Sequence, residues 1–281
     1  MTTRTINLMN ASPSYEQFTY PAGEHQVRFC GRLAADHVNV IARIHSGDDI
    51  VKLALLKSAI GPGAKTRLIL PYLPYSRADR RFSDGDCHGL ETFGGLVNSM
   101  NFAEVVTMDA HNAKSARAHI RHLVDVQATP CIDDTIVNFA HKHGSKKITV
   151  LFPDEGAKVR YQMPRGIETN TDSVMINVAH CSKVRDPLTG KLSGFDVPSI
   201  HADRPALIVD DICDGGGTFL GIAQKITGVK LGLYVTHGIF SKGTAGILEQ
   251  FDHLYTTNTI EPSDLTPLRM TVFDAMPYLL K

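Results

Sequence analysis

With 281 residues, the chain is long enough for two domains of roughly 100–200 residues each. Hydrophobic residues make up 43% of it and charged residues 21%, a globular composition that excludes extended disorder and low-complexity architecture. The 29 basic residues balance the 29 acidic residues, which argues against a nonspecific nucleic-acid-binding protein and against a peripheral membrane protein.

The sequence also indicates where the protein works. No apolar run approaches the ~18 residues of a membrane span, and the start MTTRTINLMNASPS lacks the apolar region of a secretory signal. The five cysteines are scattered and never form a CxxC pair, which argues against a disulfide framework and against a zinc site. We therefore expect a cytoplasmic protein with no membrane and no nucleic-acid partner.

Segments of β-branched and apolar residues alternate along the chain with segments of helical periodicity. This pattern predicts parallel sheets with right-handed crossovers in two α/β units, which divide near residues 128–130. The expected domains are residues 1–128 and residues 129–281, and a tail of about residues 266–281 is a candidate to pack on the first domain. The predicted strands are residues 38–44, 67–70, 105–108, 148–152, 173–178, 206–209 and 231–236; the predicted helices are residues 48–58, 89–99, 133–141, 243–250 and one starting near residue 218.

The strongest local signal is the block ALIVDDICDGGGTF at residues 206–219. An apolar strand ends in Asp210 and Asp211, Asp214 follows, and then come Gly215, Gly216, Gly217 and Thr218. The strand would deliver its acids to the carboxyl edge of a parallel sheet, where ligands bind in open α/β folds. The glycines would let backbone N–H groups approach an anion, so the block predicts a phosphate site beside acids that face hydroxyls or a cation.

Two other phosphate-binding motifs do not fit this block. A P-loop would need Gly-Lys-Ser/Thr after the glycines, and a dinucleotide fingerprint would not place the acids before them. The block resembles the phosphoribosyl pyrophosphate motif of the type I phosphoribosyltransferase fold, which phosphoribosyltransferases and ribose-phosphate pyrophosphokinases share. The resemblance implies that the acids, the three glycines and Thr218 bind ribose 5-phosphate, and that Asp210 and Asp211 also bind a metal. Gly215 stands where the motif usually has Thr or Ser.

Two segments of the N-terminal half favour the pyrophosphokinases. Residues 71–81, PYLPYSRADRR, resemble the family segment PYxxYxRQDR, with Ala78 in place of Gln. This resemblance implies that Arg77, Asp79 and Arg80 bind ATP. Residues 107–113, TMDAHNA, resemble the strand end VDLHA, which implies that His111 binds the magnesium-nucleotide.

Three shorter segments follow the family in order. YPAGE at residues 20–24 resembles FPDGE and implies that Tyr20 and Glu24 hold the adenine, although position 22 is Ala. FPDEGAKVR at residues 152–160 resembles SPDxGGxxR and implies that Asp154 is linked to the metal. SKVR at residues 182–185 resembles the start of the family's catalytic loop, which implies catalytic roles for Lys183 and Arg185. That loop would extend over residues 182–204, which lack periodicity.

The resemblance implies an α/β fold of two phosphoribosyltransferase-like domains, each a mostly parallel sheet flanked by helices. The implied reaction transfers the β,γ-diphosphoryl group of ATP to O1 of ribose 5-phosphate, with Mg²⁺ as cofactor and phosphoribosyl pyrophosphate and AMP as products. A homo-oligomer, a dimer or larger, is also implied. The N-terminus is expected to lack the first strand and helix that the family has before the adenine segment.

Three alternatives remain at this point. A phosphoribosyltransferase would use the same phosphate loop but would not need an ATP-binding first domain. A noncatalytic regulatory relative of a synthetase would keep the fold and lose catalytic residues, and a nucleotide or phosphate sensor would bind without turnover. Release of AMP from ATP and ribose 5-phosphate would distinguish the synthetase from all three.

Overall fold

The computed structural model describes residues 2–8, 15–30, 33–164, 166–168, 173–185, 192–261 and 268–281. The chain forms two compact units. Unit 1 consists of Met1–Gln127 together with Ala275–Lys281, and unit 2 consists of Ala128–Asp274. No helix in the described part of the chain is both long and apolar enough to cross a membrane.

Unit 1 is built on a five-stranded parallel sheet in the order β1-β4-β5-β6-β7, with a separate antiparallel hairpin of β2 and β3. Its central strands β4, β5 and β6 are mostly buried, and their buried residues are mainly apolar, as expected when helices cover both faces of a parallel sheet. Its elements are β1 Thr3–Asn7, β2 Tyr15–Thr19, β3 His25–Phe29, β4 His37–Ile41, α1 Gly47–Ile60, β5 Lys65–Leu70, α2 Gly89–Ser99, β6 Glu104–Met108, α3 Ala113–His119 and β7 Leu123–Val126.

The N-terminal strand is present, so the expectation that the chain lacks it is wrong. β1 pairs in parallel with β4 at the edge of the sheet, and Ile6 is buried in the core of unit 1. The sequence did not predict this edge strand because its residues are mostly polar, and only Ile6 of the five is buried. Residues 9–14, where the family's first helix would follow this strand, lie outside the described residues.

Unit 2 is built on a seven-stranded sheet in the order β16-β15-β14-β13-β8-β10-β9. All its pairs are parallel except that of β9 and β10. Its elements are α4 Thr129–Lys142, β8 Lys147–Phe152, α5 Glu155–Tyr161, β9 Gly166–Glu168, β10 Ser173–His180, β11 Ser182–Arg185, β12 Leu192–Asp196, β13 Ala206–Cys213, α6 Gly217–Ala223, β14 Leu231–Gly238, α7 Ala245–Gln250, β15 His253–Thr257 and β16 Met270–Phe273. A last helix, α8 Met276–Leu279, packs on β6 of unit 1.

The predicted fold class is confirmed: both units are mostly parallel sheets flanked by helices. The stretch 182–204 differs from the expected loop, because β11 and β12 form a two-stranded antiparallel ribbon within it. The side chain of Phe195 anchors this ribbon, since a Cβ built on Gly221 of α6 would lie only 2.9 Å from the Phe195 ring. Residues 186–191 lie outside the described residues.

A buried ion pair joins α5 to β13. Arg160 Nη1 lies 2.6 Å from Asp211 Oδ2, and the Asp211 side chain is only 3% exposed. Removing one partner of such a pair leaves the other charge buried without compensation, which is far more destabilising than removing both.

We predict that Arg160→Met lowers the free energy of unfolding by about 3–5 kcal/mol, the usual loss when a buried ion pair is broken on one side. The double variant Arg160→Met/Asp211→Leu should recover much of that loss, since no buried charge remains. Urea denaturation would measure both. Arg204→Met is the matched control because its partner Asp203 is largely exposed, and it should change little. Equal losses for Arg160→Met and Arg204→Met would contradict the prediction.

A second contact, in which exposed Lys142 meets buried His253, makes the stability of unit 2 depend on pH. The Lys142 ammonium donates to His253 Nδ1 at 2.8 Å, which leaves Nε2 to donate to Thr271 Oγ1 at 2.8 Å. Burial and the Lys142 charge lower the pKa of His253 to about 4. In the unfolded chain, His253 has an ordinary pKa near 6.5 and binds a proton below that pH. In the folded protein, it stays neutral until the pH approaches 4. The stability contributed by neutral His253 is therefore present above pH 6.5 and is lost as the pH falls toward 4.

We predict that this one group lowers the free energy of unfolding by about 2 kcal/mol between pH 7 and pH 5. His253→Gln keeps an acceptor and a donor in the same region and does not titrate, so this loss should be missing from the variant. Urea denaturation of both proteins at the two pH values gives the comparison. The same pH dependence in both proteins would show that His253 does not cause it.

Candidate functional site

The glycine block lies where β13 ends and α6 begins. Gly216 has a φ of +76° and is the N-cap of α6. A Cβ built on Gly216 would lie 3.3 Å from Ile247 of α7, so both the backbone conformation and the close packing favour glycine here. As at every helix start, the first N–H groups of α6 have no partner within the helix and can bind an anion. Residues 214–218 thus form the connection from strand to helix that the sequence predicts. Because the sequence predicts that they bind a phosphate, we call them the phosphate loop.

The two adjacent acids of β13 have different surroundings. The Asp211 carboxylate is buried and is held by Arg160, as described above. Asp210 is half-buried, and one of its carboxylate oxygens accepts a 2.9 Å hydrogen bond from Asp211 N. Burial and the Asp211 charge raise the pKa of Asp210 well above its ordinary value. Asp214 is exposed at the start of the phosphate loop. Asp210 and Asp214 are therefore the more accessible acids, and Asp211 holds the strand end in place.

Asp154 begins α5. Its side chain accepts a 3.0 Å hydrogen bond from Ala157 N and so caps the helix, which uses one carboxylate oxygen. Ala157, which stands where the family segment has its second Gly, is buried within α5 and supplies the N–H for this cap. Because the same short helix carries Arg160, the segment 152–160 connects Asp154 with the acids of β13. The sequence analysis assigned Arg160 no role, although Arg160 matches the Arg that ends the family pattern SPDxGGxxR.

Lys183 and Arg185 lie on β11. In the ribbon, Lys183 is the register partner of Phe195, whose ring contacts α6 at Gly221. The backbone at Lys183 is therefore attached to the helix that begins at the phosphate loop.

In unit 1, residues 71–81 follow β5 and pack against the start of α2. Leu90 N donates to the Ala78 carbonyl at 3.1 Å. A Cβ built on Gly89 would lie 2.9 Å from Ala78 Cβ. The small side chain at position 78 thus fits a close contact with α2. Arg77 and Arg80 are exposed on the same segment.

Asp79 is buried and connects this segment to the turn that carries His111. Its carboxylate accepts hydrogen bonds from Asn112 Nδ2 at 2.6 Å and from Arg80 Nε at 3.0 Å. Burial acts to raise the pKa of Asp79, but the hydrogen bonds from Arg80 and Asn112 outweigh it and lower the pKa. Asn112 also caps α3, and half-buried His111 directly precedes it. Asp79 is therefore placed to position Arg80 and His111, through a contact with Asn112 that the sequence interpretation missed.

Tyr20 and Glu24 lie in the turn between β2 and β3. Tyr20 N donates to the Glu24 carbonyl at 2.8 Å, and Gly23, with a φ of +94°, completes the turn. The Tyr20 ring is 44% exposed and makes an edge contact with Phe18. Ala22 is exposed in the same turn. The turn thus presents the Tyr20 ring and the Glu24 carboxylate together.

Comparisons with known proteins show what the chain as a whole is similar to. No family model matches the chain. The ribose-phosphate pyrophosphokinase of Sulfolobus acidocaldarius is 26% identical over 275 residues, which cover 92% of this chain and 88% of that protein. The ribose-phosphate pyrophosphokinase of Thermococcus kodakarensis is 29% identical over 271 residues, which cover 93% of this chain and 89% of that protein.

A solved structure shows the same fold. The crystal structure of phosphoribosylpyrophosphate synthetase from Mycobacterium smegmatis superposes with a TM-score of 0.76 at 18% identity. The match covers 98% of this chain and 95% of that one. The chain is thus similar in sequence to ribose-phosphate pyrophosphokinases along about nine-tenths of its length. It is similar in fold to the phosphoribosylpyrophosphate synthetase structure along nearly all of it.

Proposed function

We propose that the protein is an enzyme, a ribose-phosphate diphosphokinase that transfers the β,γ-diphosphoryl group of ATP to O1 of ribose 5-phosphate. The observation that carries this proposal is the presence, in one chain, of the glycine loop after β13 in unit 2 and of the arginine-containing segment 71–81 after β5 in unit 1. We assign the first to the sugar phosphate and the second to the nucleotide. A phosphoribosyltransferase needs only the first of these. The similarity to named ribose-phosphate pyrophosphokinases extends over both units, which favours the synthetase.

Unit 2 binds the sugar in this proposal. The 5-phosphate lies in the phosphate loop, where Gly215, Gly216, Gly217 and Thr218 offer backbone N–H groups and one hydroxyl. Asp210 and Asp214 accept hydrogen bonds from the ribose hydroxyls. Arg160 holds the Asp211 side chain, and the backbone N–H of Asp211 donates to the Asp210 carboxylate and keeps it in position.

Unit 1 binds ATP. Tyr20 stacks on the adenine and Glu24 accepts its amino hydrogens, while the guanidinium groups of Arg77 and Arg80 bind phosphate oxygens. His111 binds the phosphate end of the nucleotide. Asp79 contributes through Asn112 and Arg80, which it keeps in place.

The chemistry is a displacement at phosphorus. O1 of the sugar bonds to the β-phosphorus, the bond from that phosphorus to the AMP oxygen breaks with its electron pair staying on AMP, and the hydroxyl proton is released. Negative charge grows on the transferred phosphoryl oxygens, so catalysis depends on positioning and on cations. Lys183 and Arg185 supply positive charge to the reacting phosphates.

Mg²⁺ is the proposed cofactor. Mg²⁺ prefers oxygen ligands and keeps several waters, with only one or two carboxylates and the substrate phosphates as further ligands. Among the described residues no three His, Cys, Asp or Glu side chains cluster as a metal site. Asp210 and Asp154 on the sugar side and His111 on the nucleotide side are the proposed protein contacts, and the bound ion would neutralise phosphate charge. The resemblance also implied a metal contact for Asp211, but its carboxylate is held by Arg160, so we assign it the positioning of Asp210.

The proposal includes a cytoplasmic homo-oligomer, a dimer or larger. All five cysteines are free, and burial raises the pKa of Cys181 and Cys213 to about 12, so these thiols are unreactive. Free cysteines are what a reducing compartment maintains.

The test is an assay of the purified protein with ATP, Mg²⁺ and ribose 5-phosphate. Formation of AMP and phosphoribosyl pyrophosphate in equal amounts is expected. Binding of both substrates without AMP would indicate a noncatalytic relative, and consumption of phosphoribosyl pyrophosphate with a nucleobase would indicate a phosphoribosyltransferase.

Within this function we predict that Lys183→Ala lowers turnover by about 10²–10³-fold, the usual effect of removing one group that stabilises transition-state charge. The affinity for ATP and for ribose 5-phosphate should change little. Steady-state kinetics and calorimetry separate the two effects. Lys225→Ala, at an exposed lysine beyond the end of α6, is the control and should leave both unchanged. A loss of affinity that matches the loss of turnover would mean that Lys183 only recruits substrate.

A further inference from the structure

Position 215 of the phosphate loop has no side chain, and the side chain of Lys242 lies against it. A Cβ built on Gly215 would be 3.4 Å from Lys242 Cε, 3.5 Å from Cδ and 3.8 Å from Cγ. The lysine chain thus runs past the place where a hydroxyl-bearing residue at position 215 would begin. Its ammonium group, bonded to Cε, lies beside the phosphate loop.

The turn that carries Lys242 is fixed to the end of β13. The Cys213 carbonyl accepts hydrogen bonds from Ile239 N at 2.9 Å and from Phe240 N at 3.1 Å. Gly243 N donates to the Phe240 carbonyl at 2.7 Å and closes the turn. Because Cys213 directly precedes the phosphate loop, these bonds fix the position of the Lys242 backbone relative to the loop.

Lys242 is exposed, and no carboxylate of the described residues forms an ion pair with it. Lys230 of the same unit, by contrast, lies 3.0 Å from Asp252. A lysine that is positioned by packing and left without an acidic partner can bind an anion without first breaking an ion pair.

We propose that Lys242 binds the 5-phosphate of the sugar and replaces the side-chain donor that Gly215 lacks. The proposal rests on the proposed function, because that function places a phosphate in this loop. A lysine ammonium is a compact charge with three donors, so it suits a phosphate oxygen even though it lacks the fork geometry of arginine. Lys242 would then determine the affinity for phosphorylated over unphosphorylated sugar.

The test compares Lys242→Met with wild type. Methionine keeps most of the packing against Gly215 and removes the charge. Calorimetric binding of ribose 5-phosphate should weaken about 10- to 100-fold, the range for a lost charge-assisted hydrogen bond. The KM for ribose 5-phosphate should rise by a similar factor, while the KM for ATP stays unchanged. Lys225→Met is the matched control and should bind as wild type does.

A rescue variant tests the link to Gly215. Adding Gly215→Ser to Lys242→Met restores a side-chain donor at the loop and should recover part of the affinity. Normal ribose 5-phosphate binding by Lys242→Met, or an equal loss in Lys225→Met, would overturn the proposal while leaving the proposed function intact. Failure of the wild-type protein to bind ribose 5-phosphate would overturn both.

Discussion

The carboxyl end of β13 depends on the buried ion pair between Arg160 and Asp211. Asp211 lies in the interior of unit 2, where an unpaired carboxylate would be strongly destabilising. Arg160 removes that penalty and, because it belongs to α5, it also fixes the helix that Asp154 caps. One contact therefore sets the relative positions of Asp154, Asp210 and the start of the phosphate loop. An apolar pair could stabilise the strand equally well but would leave Asp210 without this charged neighbour.

Unit 1 uses a buried acid in a comparable way. Asp79 lies within an arginine-rich segment and bonds to Asn112, which neighbours His111. Its carboxylate stays ionised because Arg80 and Asn112 donate to it. In both units, then, an acid from a motif acts on the site by positioning a second segment. A residue of a binding motif need not itself contact the bound molecule. A buried residue of the motif positions its neighbours, whereas an exposed one is available for contact.

Much of the central architecture could be predicted from the sequence. The helix at residues 89–99 has the same bounds in the structure, because its apolar spacing and its flanking residues are unambiguous. The strand leading into Asp210 was predictable as an apolar run, although the structure extends it to Cys213. β1 and the ribbon of β11 and β12 were not, since their polar residues carry no core pattern.

Contacts between distant residues were also beyond the sequence, and they fit two departures from the family segments. Ala78 packs against Gly89, and Gly215 leaves room that the side chain of Lys242 occupies. A chain that had lost its function would be expected to keep such positions only as far as the core requires. At position 215 the neighbour is an exposed lysine, which the core does not need. The replacement at position 215 is therefore accounted for by the proposed phosphate contact of Lys242 and not by packing of the core.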